Sequence, residues 1–88
     1  MKILHLTLYK EYFDQIKSDL KKVERRDNIP YWRKRLYHDF PGQPKYFDQI
    51  HFRNGYGKTK PLVKTEHCNT FYNSTLDKIE LIIGDILL

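Results

Sequence analysis

Apolar and polar residues alternate at the start of the chain, and this pattern predicts a β-strand over residues 3–8. The residues that share its apolar side are Leu4, Leu6 and Leu8. The apolar spacing then changes to that of a helix, through Tyr9, Tyr12, Phe13 and Ile16. We expect this aromatic stripe to pack in the core and the helix to end at Ser18 and Asp19.

Further along, the pattern predicts a second strand over residues 20–26 and a short helix over residues 31–37, introduced by Pro30. The helix residues expected to point inward are Trp32 and Leu36. Residues 40–44 contain two prolines and a glycine and predict a rigid loop. Later strands are predicted over residues 46–53, 62–71 and 79–87, with a turn at residues 54–58. Gly84 inside the last strand predicts a bulge or a bend in a barrel.

Five strands with two short helices inserted early favour an α+β fold, built on a small closed or nearly closed β-barrel. A parallel α/β sheet would need regular alternation of strands and helices, which the second half lacks. The length of 88 residues corresponds to one small domain over residues 1–88. Seven Tyr, five Phe and one Trp would supply much of its core.

Cys68 is the one cysteine, so an internal disulfide is impossible and a reducing compartment is indicated. The four histidines are scattered, without the spacing of a metal site, and no cofactor is expected. No run approaches the roughly 20 apolar residues of a membrane span, and the first strand is too short and too polar for a signal peptide. We therefore predict a cytoplasmic protein with no membrane partner.

The positive charge of the chain is concentrated in one segment. Residues 17–35 hold eight basic and three acidic side chains, and this difference equals the net charge of +5 of the whole sequence. A segregated charge of this kind favours a polyanionic partner, for which nucleic acid is the usual candidate. The alternative is that the charge serves solubility only.

Residues 21–26 are the most concentrated part of this segment, with four cations and one carboxylate, Glu24. A carboxylate between cations can hold their donor groups in fixed geometry, which suits a phosphate, a carboxylate or the polar edge of a nucleobase. Period two puts Glu24 and Arg26 on one face of a strand, so Lys21 can join Glu24 only if it lies in the preceding turn. The alternative is a solvated strand with surface ion pairs of little energetic value.

At this level of detail the chain resembles the ASCH domains of the PUA-like superfamily. The segments that carry the resemblance are residues 4–8, 12–18, 21–26, 30–32, 52–58 and 79–86. The most specific part is a K-x-x-E-x-R signature formed by Lys21, Glu24 and Arg26. The resemblance implies a PUA-like β-barrel with flanking helices, and a cleft between barrel and helix lined by the signature residues.

ASCH domains are generally proposed to bind RNA, and a bacterial branch hydrolyses N4-acetylcytidine. That branch has a nucleophilic Thr at the position of Glu24, after a Lys that matches Lys21. Here the Thr is absent, and Asp19 and Leu20 replace the usual Gly before the signature. The connection before the last strand is also short. The small size is similar to that of bacterial or phage-type members.

Our first hypothesis is an RNA-binding or nucleotide-binding module. Glu24 would accept hydrogen bonds from a base edge or orient the cations, and unpaired bases would stack on aromatic rings. The residues predicted to bind the ligand are Lys21, Lys22, Glu24, Arg26, Tyr31, Trp32, Arg33, Arg35, Arg53, Asn54 and Tyr56.

Two other hypotheses remain open. In an amidohydrolase acting on an acylated nucleoside, Lys21 would act as a base and Glu24 as an acid or base, and Thr7 is the one nearby candidate nucleophile. In a phage-type inhibitor or adaptor, the basic face would bind another protein or a ribonucleoprotein. Acidic protein surfaces and phosphates attract the same patch, so the sequence does not separate this last hypothesis from the first.

Overall fold

A computed structural model describes residues 1–57 and 59–87 of the chain. Two helices and seven strands follow one another along it, which makes the fold α+β. The helices are α1 (Lys10–Lys17) and α2 (Pro30–Leu36). The strands are β1 (Ile3–Leu8), β2 (Val23–Asp27), β3 (Tyr37–Asp39), β4 (Gln43–Pro44), β5 (Gln49–Asn54), β6 (Leu62–Asn73) and β7 (Lys78–Leu87).

Five of the strands form one sheet in the order β1-β5-β6-β7-β2, which curls into a half-barrel. The β1–β5 pair is parallel and the other pairs are antiparallel. The curled sheet encloses the core with one face, as the alternation along β1 predicts. The buried residues contributed by its strands include Leu4, Leu6, Ile50, Phe52, Ile79 and Leu81.

The described residues form seven strands where five were predicted, because β3 and β4 form a separate two-stranded ribbon. Both are too short for a periodic pattern to reveal them. The ribbon includes Gln43 and Pro44, which we had assigned to a loop. Its Tyr37 is buried and packs edge-on against Phe40, with 5.0 Å between the ring centroids.

The second strand begins at Val23 instead of residue 20, because residues between α1 and β2 form backbone hydrogen bonds with the end of the helix. Asp19 adopts a left-handed conformation (φ 66°) after the cap residue Ser18. The amides of Leu20 and Lys21 both donate to the carbonyl of Gln15. Lys21 therefore lies in the turn before the strand, which is the condition for it to reach Glu24.

The predicted aromatic stripe of the first helix is only half correct. Phe13 and Ile16 are buried, but Tyr9 is 80% exposed and Tyr12 is 41% exposed. Tyr9 is the N-cap of α1, and this eight-residue helix turns only a narrow face to the core. In α2, Leu36 is buried and Trp32 packs partly against the core, as expected. Neither helix in the described chain is long and apolar enough to cross a membrane.

Gly84 lies at an irregularity in the β6–β7 pair, as predicted. The register shifts twice, between Thr65 and His67 and between His67 and Asn69. A side chain at position 84 would place its Cβ 2.9 Å from both Cys68 Sγ and Glu66 Cβ. The two strands thus approach each other closely at a position where only a glycine leaves enough space.

Candidate functional site

A cavity of about 580 Å³ lies between β1 and β2, the two edge strands of the half-barrel. We call it the seam cleft. It is lined by Thr7, Leu8, Tyr9, Tyr12, Lys21, Glu24, Arg25, Arg26, Gly55 and Tyr56. The cleft combines basic side chains from one sheet edge with three exposed tyrosine rings from other segments.

Polar side chains reach the interior here because of the β2–β7 register. Glu24 pairs with Leu81 and Arg26 pairs with Ile79, and both partners are fully buried. Residues directly opposite each other on paired strands project from the same face. The carboxylate and the guanidinium therefore emerge on the core side of the sheet, at its edge, where the cleft opens.

Glu24 is the centre of the site and is only 5% exposed. Its Oε1 lies 3.0 Å from Lys21 Nζ and accepts the Arg25 backbone N–H at 3.1 Å. Its Oε2 accepts a hydrogen bond from Arg26 Nη2 at 3.1 Å. One buried carboxylate thus fixes the two cations of the signature through charge-assisted hydrogen bonds.

Lys21 is also held by an aromatic ring. Its Nζ lies 4.6 Å from the ring centroid of Tyr12, within the range of a cation–π interaction. The Lys21 side chain is 18% exposed. Because an ammonium group has three N–H donors, the contact with Glu24 leaves further donors on this nitrogen.

Arg26 links the cleft to both β1 and α2. Its Nη2 donates to the Thr7 carbonyl at 3.4 Å, and its guanidinium carbon lies 4.9 Å from the Trp32 ring centroid. Arg35 also contacts this indole at 5.4 Å, and its Nη2 donates to the His5 carbonyl at 2.5 Å. We call Arg26, Trp32 and Arg35 the Trp32 stack. Both of its arginines bond carbonyls of the edge strand β1.

The predicted ligand-binding residues do not all meet in one place. Those that line the cleft are Lys21, Glu24, Arg26 and Tyr56. Those around the adjoining stack are Tyr31, Trp32 and Arg35, with Tyr31 Oη accepting from Arg35. Those that line neither are Lys22, Arg33, Arg53 and Asn54. Lys58, in the predicted turn, lies outside the described residues.

The four residues outside the cleft have other contacts. Lys22 pairs with Asp19, which raises the pKa of its ammonium group, and donates to the Gly84 carbonyl. Arg33 lies over the Phe40 ring, and Arg53 donates to the Lys60 carbonyl. Asn54 uses its backbone N–H to bond the Pro61 carbonyl.

Tyr9 and Tyr12 are two aromatic lining residues that the sequence analysis missed as site residues, because we assigned both to the core. The short length of the helix could have indicated that Tyr12 is not a core residue. With Phe13 and Ile16 one turn apart and only eight residues available, a neighbouring Tyr12 must point to the side of the buried face. Its ring there stands over Lys21 and faces the cleft.

The charge of the site remains positive after its internal pairing. Lys21 and Arg26 both pair with the single carboxylate Glu24, whereas the side chain of Arg25 pairs with Glu80 at 2.7 Å. Two cations and one carboxylate leave one positive charge at the signature. Such a site can receive an anion at its donors while a planar group contacts the tyrosine rings.

Comparison of the sequence with models of protein families and with curated proteins found no match.

Proposed function

We propose that this domain is an ASCH-like module that binds single-stranded RNA or a nucleotide in the seam cleft. The observation that carries the proposal is the arrangement around Glu24. A buried carboxylate orients two cations at the rim of a cavity that also presents exposed tyrosine rings. Phosphate groups and unpaired bases are the two parts of one ligand that such a surface recognises.

The ion pairs within the signature support an orienting role for Glu24. Pairing lowers the free charge of the cleft, but it also holds Lys21 and Arg26 in place before a ligand arrives. A preorganised donor loses less side-chain entropy on binding than a mobile surface lysine. Each of the two side chains is still 18% exposed and therefore open to a ligand.

The salt dependence of binding tests this proposal. We expect a labelled 12-nucleotide oligouridylate to bind with an affinity that falls steeply between 50 and 200 mM salt, because each neutralised phosphate releases condensed counterions. Loss of one phosphate contact in Arg26→Ala should reduce the slope of log K against log [salt] by about 1. Fluorescence anisotropy measures both quantities.

Lys17→Gln is the matched control, since it removes one positive charge from the exposed surface of α1. It should change the slope less than Arg26→Ala does. Tight binding without any salt dependence, or equal slopes for the two variants, would contradict phosphate recognition in the cleft.

We expect binding without turnover of N4-acetylcytidine. In the proposed resemblance Glu24 matches the position of the nucleophilic Thr of the hydrolytic ASCH branch. Three donors already engage its carboxylate. Prolonged incubation followed by chromatography should recover the intact nucleoside. Hydrolysis by the wild type that disappears in Lys21→Ala would show that the site is catalytic.

A further inference from the structure

A row of basic side chains crosses the outer face of the sheet, on the side opposite the core. His5 on β1 is in register with His51 on β5, and His51 is in register with Lys64 on β6. Their neighbours along the strands, such as Leu4 and Ile50, point into the core. Because side chains alternate along a strand, His5, His51 and Lys64 share the outer face. We call them the outer row.

The two imidazoles of the row contact each other. Their ring centroids are 5.2 Å apart in an edge-to-face arrangement. His51 Nε2 lies 2.8 Å from Gln49 Oε1, so one ring nitrogen is already engaged. His51 is 9% exposed and His5 is exposed. Burial, followed by the charges of His5, Lys64 and Arg53, lowers the pKa of His51 below its ordinary value.

The groups around the row are mostly basic. Arg53 follows His51 on the same face of β5, and Arg35 approaches from α2 to bond the His5 carbonyl. The nearest carboxylate along β6 is that of Glu66, whose Oε1 accepts the Asp85 backbone N–H. Lys64 forms no ion pair with any residue that the structure describes.

The outer row begins on β1 one row away from a residue that lines the seam cleft. Thr7 lines the cleft and is in register with Arg53, one row along the sheet from His5 and His51. Gly55, at the end of β5, also lines the cleft. Successive rows on one face of a strand are about 6.6 Å apart, because each residue rises about 3.3 Å. A chain of phosphates that leaves the cleft over β1 therefore meets Arg53 first and the outer row next.

We propose that the outer row binds the phosphodiester backbone of an RNA strand that extends out of the seam cleft, and that it does so when its histidines are protonated. The inference rests on the proposed function and adds to it a second contact that pH controls. A phosphate beside an imidazole favours the charged form of the ring, so binding takes up protons. Affinity for a long strand must then rise as the pH falls through the histidine range.

RNAs of two lengths distinguish binding at the outer row from binding in the seam cleft. The dinucleotide UpU is short enough to occupy the cleft alone, and its phosphodiester does not titrate between pH 5.5 and 7.5. A 12-nucleotide oligouridylate also reaches the outer row. We expect the affinity of the longer RNA to rise about tenfold from pH 7.5 to 5.5, and that of UpU to change about threefold or less.

The variants His51→Gln and His5→Gln should remove most of this pH dependence for the longer RNA and leave UpU binding intact. Lys64→Gln, which leaves the partly buried imidazole pair in place, should weaken the longer RNA about threefold at both pH values. Lys17→Gln is the matched control for charge, and thermal unfolding of each variant checks folding.

The binding of the two RNAs at the two pH values distinguishes the inference from the proposed function. Loss of the pH dependence in the histidine variants, with UpU unaffected, supports the inference. A pH dependence that persists in His51→Gln and His5→Gln, or a UpU affinity that rises as much as that of the longer RNA, overturns the inference and leaves the proposed function standing. Failure of both RNAs to bind at either pH overturns the proposed function and this inference with it.

Discussion

Glu24 is one buried carboxylate that fixes the positions of two cations in a basic cluster. Buried ion pairs add little stability on average, because desolvation of the charges offsets their attraction. Glu24 nevertheless meets three donors, and two of them belong to the cations that face the cleft. The sequence predicted this grouping because the three residues are close in the chain, and because one turn residue, Lys21, frees its side chain from the alternation of the strand.

A prediction at this scale concerns Glu24→Gln. If Glu24 only balances charge, the variant should bind RNA equally well or better, since one negative charge is gone. If it orients Lys21 and Arg26, as we propose, affinity should fall at least about fivefold, or about 1 kcal/mol. Fluorescence anisotropy with the 12-nucleotide oligouridylate measures this change.

The double variant with Arg26→Ala provides the control for Glu24→Gln. Groups that act as one unit have non-additive effects, so the double variant should lose less than the sum of the two single losses. Urea unfolding must show that each variant is folded, because removal of one partner from a buried pair also destabilises a protein. A folded Glu24→Gln protein with unchanged or improved affinity would contradict the orienting role.

Individual aromatic residues were harder to place than charged ones. The spacing of Tyr12 is compatible with the buried face of α1, yet its ring stands over Lys21 instead. The sequence shows the helical spacing of the apolar residues in α1. It does not show how wide a face of this helix the rest of the fold can bury. Tyr31 and Trp32 show the same limit, since they are neighbours in α2 with rings 4.8 Å apart and differ in burial.

At the level of elements, strong periodicity was a reliable guide. β1 alternates and has one buried face, and the apolar run over residues 79–87 correctly predicted β7. The segments before β2 and β5 could not be assigned in this way. Their backbone groups bond outside the sheet ladder: Leu20 and Lys21 donate to the Gln15 carbonyl, and Phe47 donates its N–H to His67 Nδ1 at 3.1 Å.

Gly84→Ala tests the irregularity between β6 and β7. The added Cβ would lie 2.9 Å from Glu66 Cβ and Cys68 Sγ, and both atoms are close to their own backbones. The strands must therefore move apart, and we expect a loss of about 1–3 kcal/mol in the free energy of unfolding, as in other overpacked sites. Urea denaturation of the purified variant gives this value.

Gly42→Ala is the matched control, because the nearest atom to its new Cβ would be the Asp39 carbonyl oxygen at 3.8 Å. It should change stability by less than about 1 kcal/mol, since no neighbour has to move. Equal effects of the two substitutions would show that the close approach at Gly84 has no special cost.

At the scale of the whole molecule, the half-barrel is bridged at the seam by side chains. The sheet order leaves β1 and β2 as edges, and no ladder of backbone hydrogen bonds joins them in the described chain. The Trp32 stack spans the gap, with Arg26 and Arg35 capping the Thr7 and His5 carbonyls. The sequence indicated a closed or nearly closed barrel, but strand patterns do not reveal which edges remain unpaired, so the stack could not be predicted.

The Trp32 stack should therefore stabilise the whole domain. We expect Trp32→Leu and Arg35→Ala each to lower the free energy of unfolding, since both loosen the bridge between the sheet edges. Their effects should be coupled by about 0.5–1 kcal/mol, the range of a partly exposed cation–π contact. Urea unfolding of the two single variants and the double variant measures the coupling.

Arg25→Ala supplies the comparison for this cycle. Arg25 belongs to the same strand as Arg26 but pairs with Glu80 on the opposite face of the sheet. The loss of unfolding free energy in Arg25→Ala should add to the loss in Trp32→Leu without coupling, because the two side chains share no partner. If Arg35 and Trp32 also proved additive, the seam would be stabilised by core packing alone. A measured coupling would instead identify the two arginines and the indole between them as one structural unit that closes the half-barrel beside the cleft.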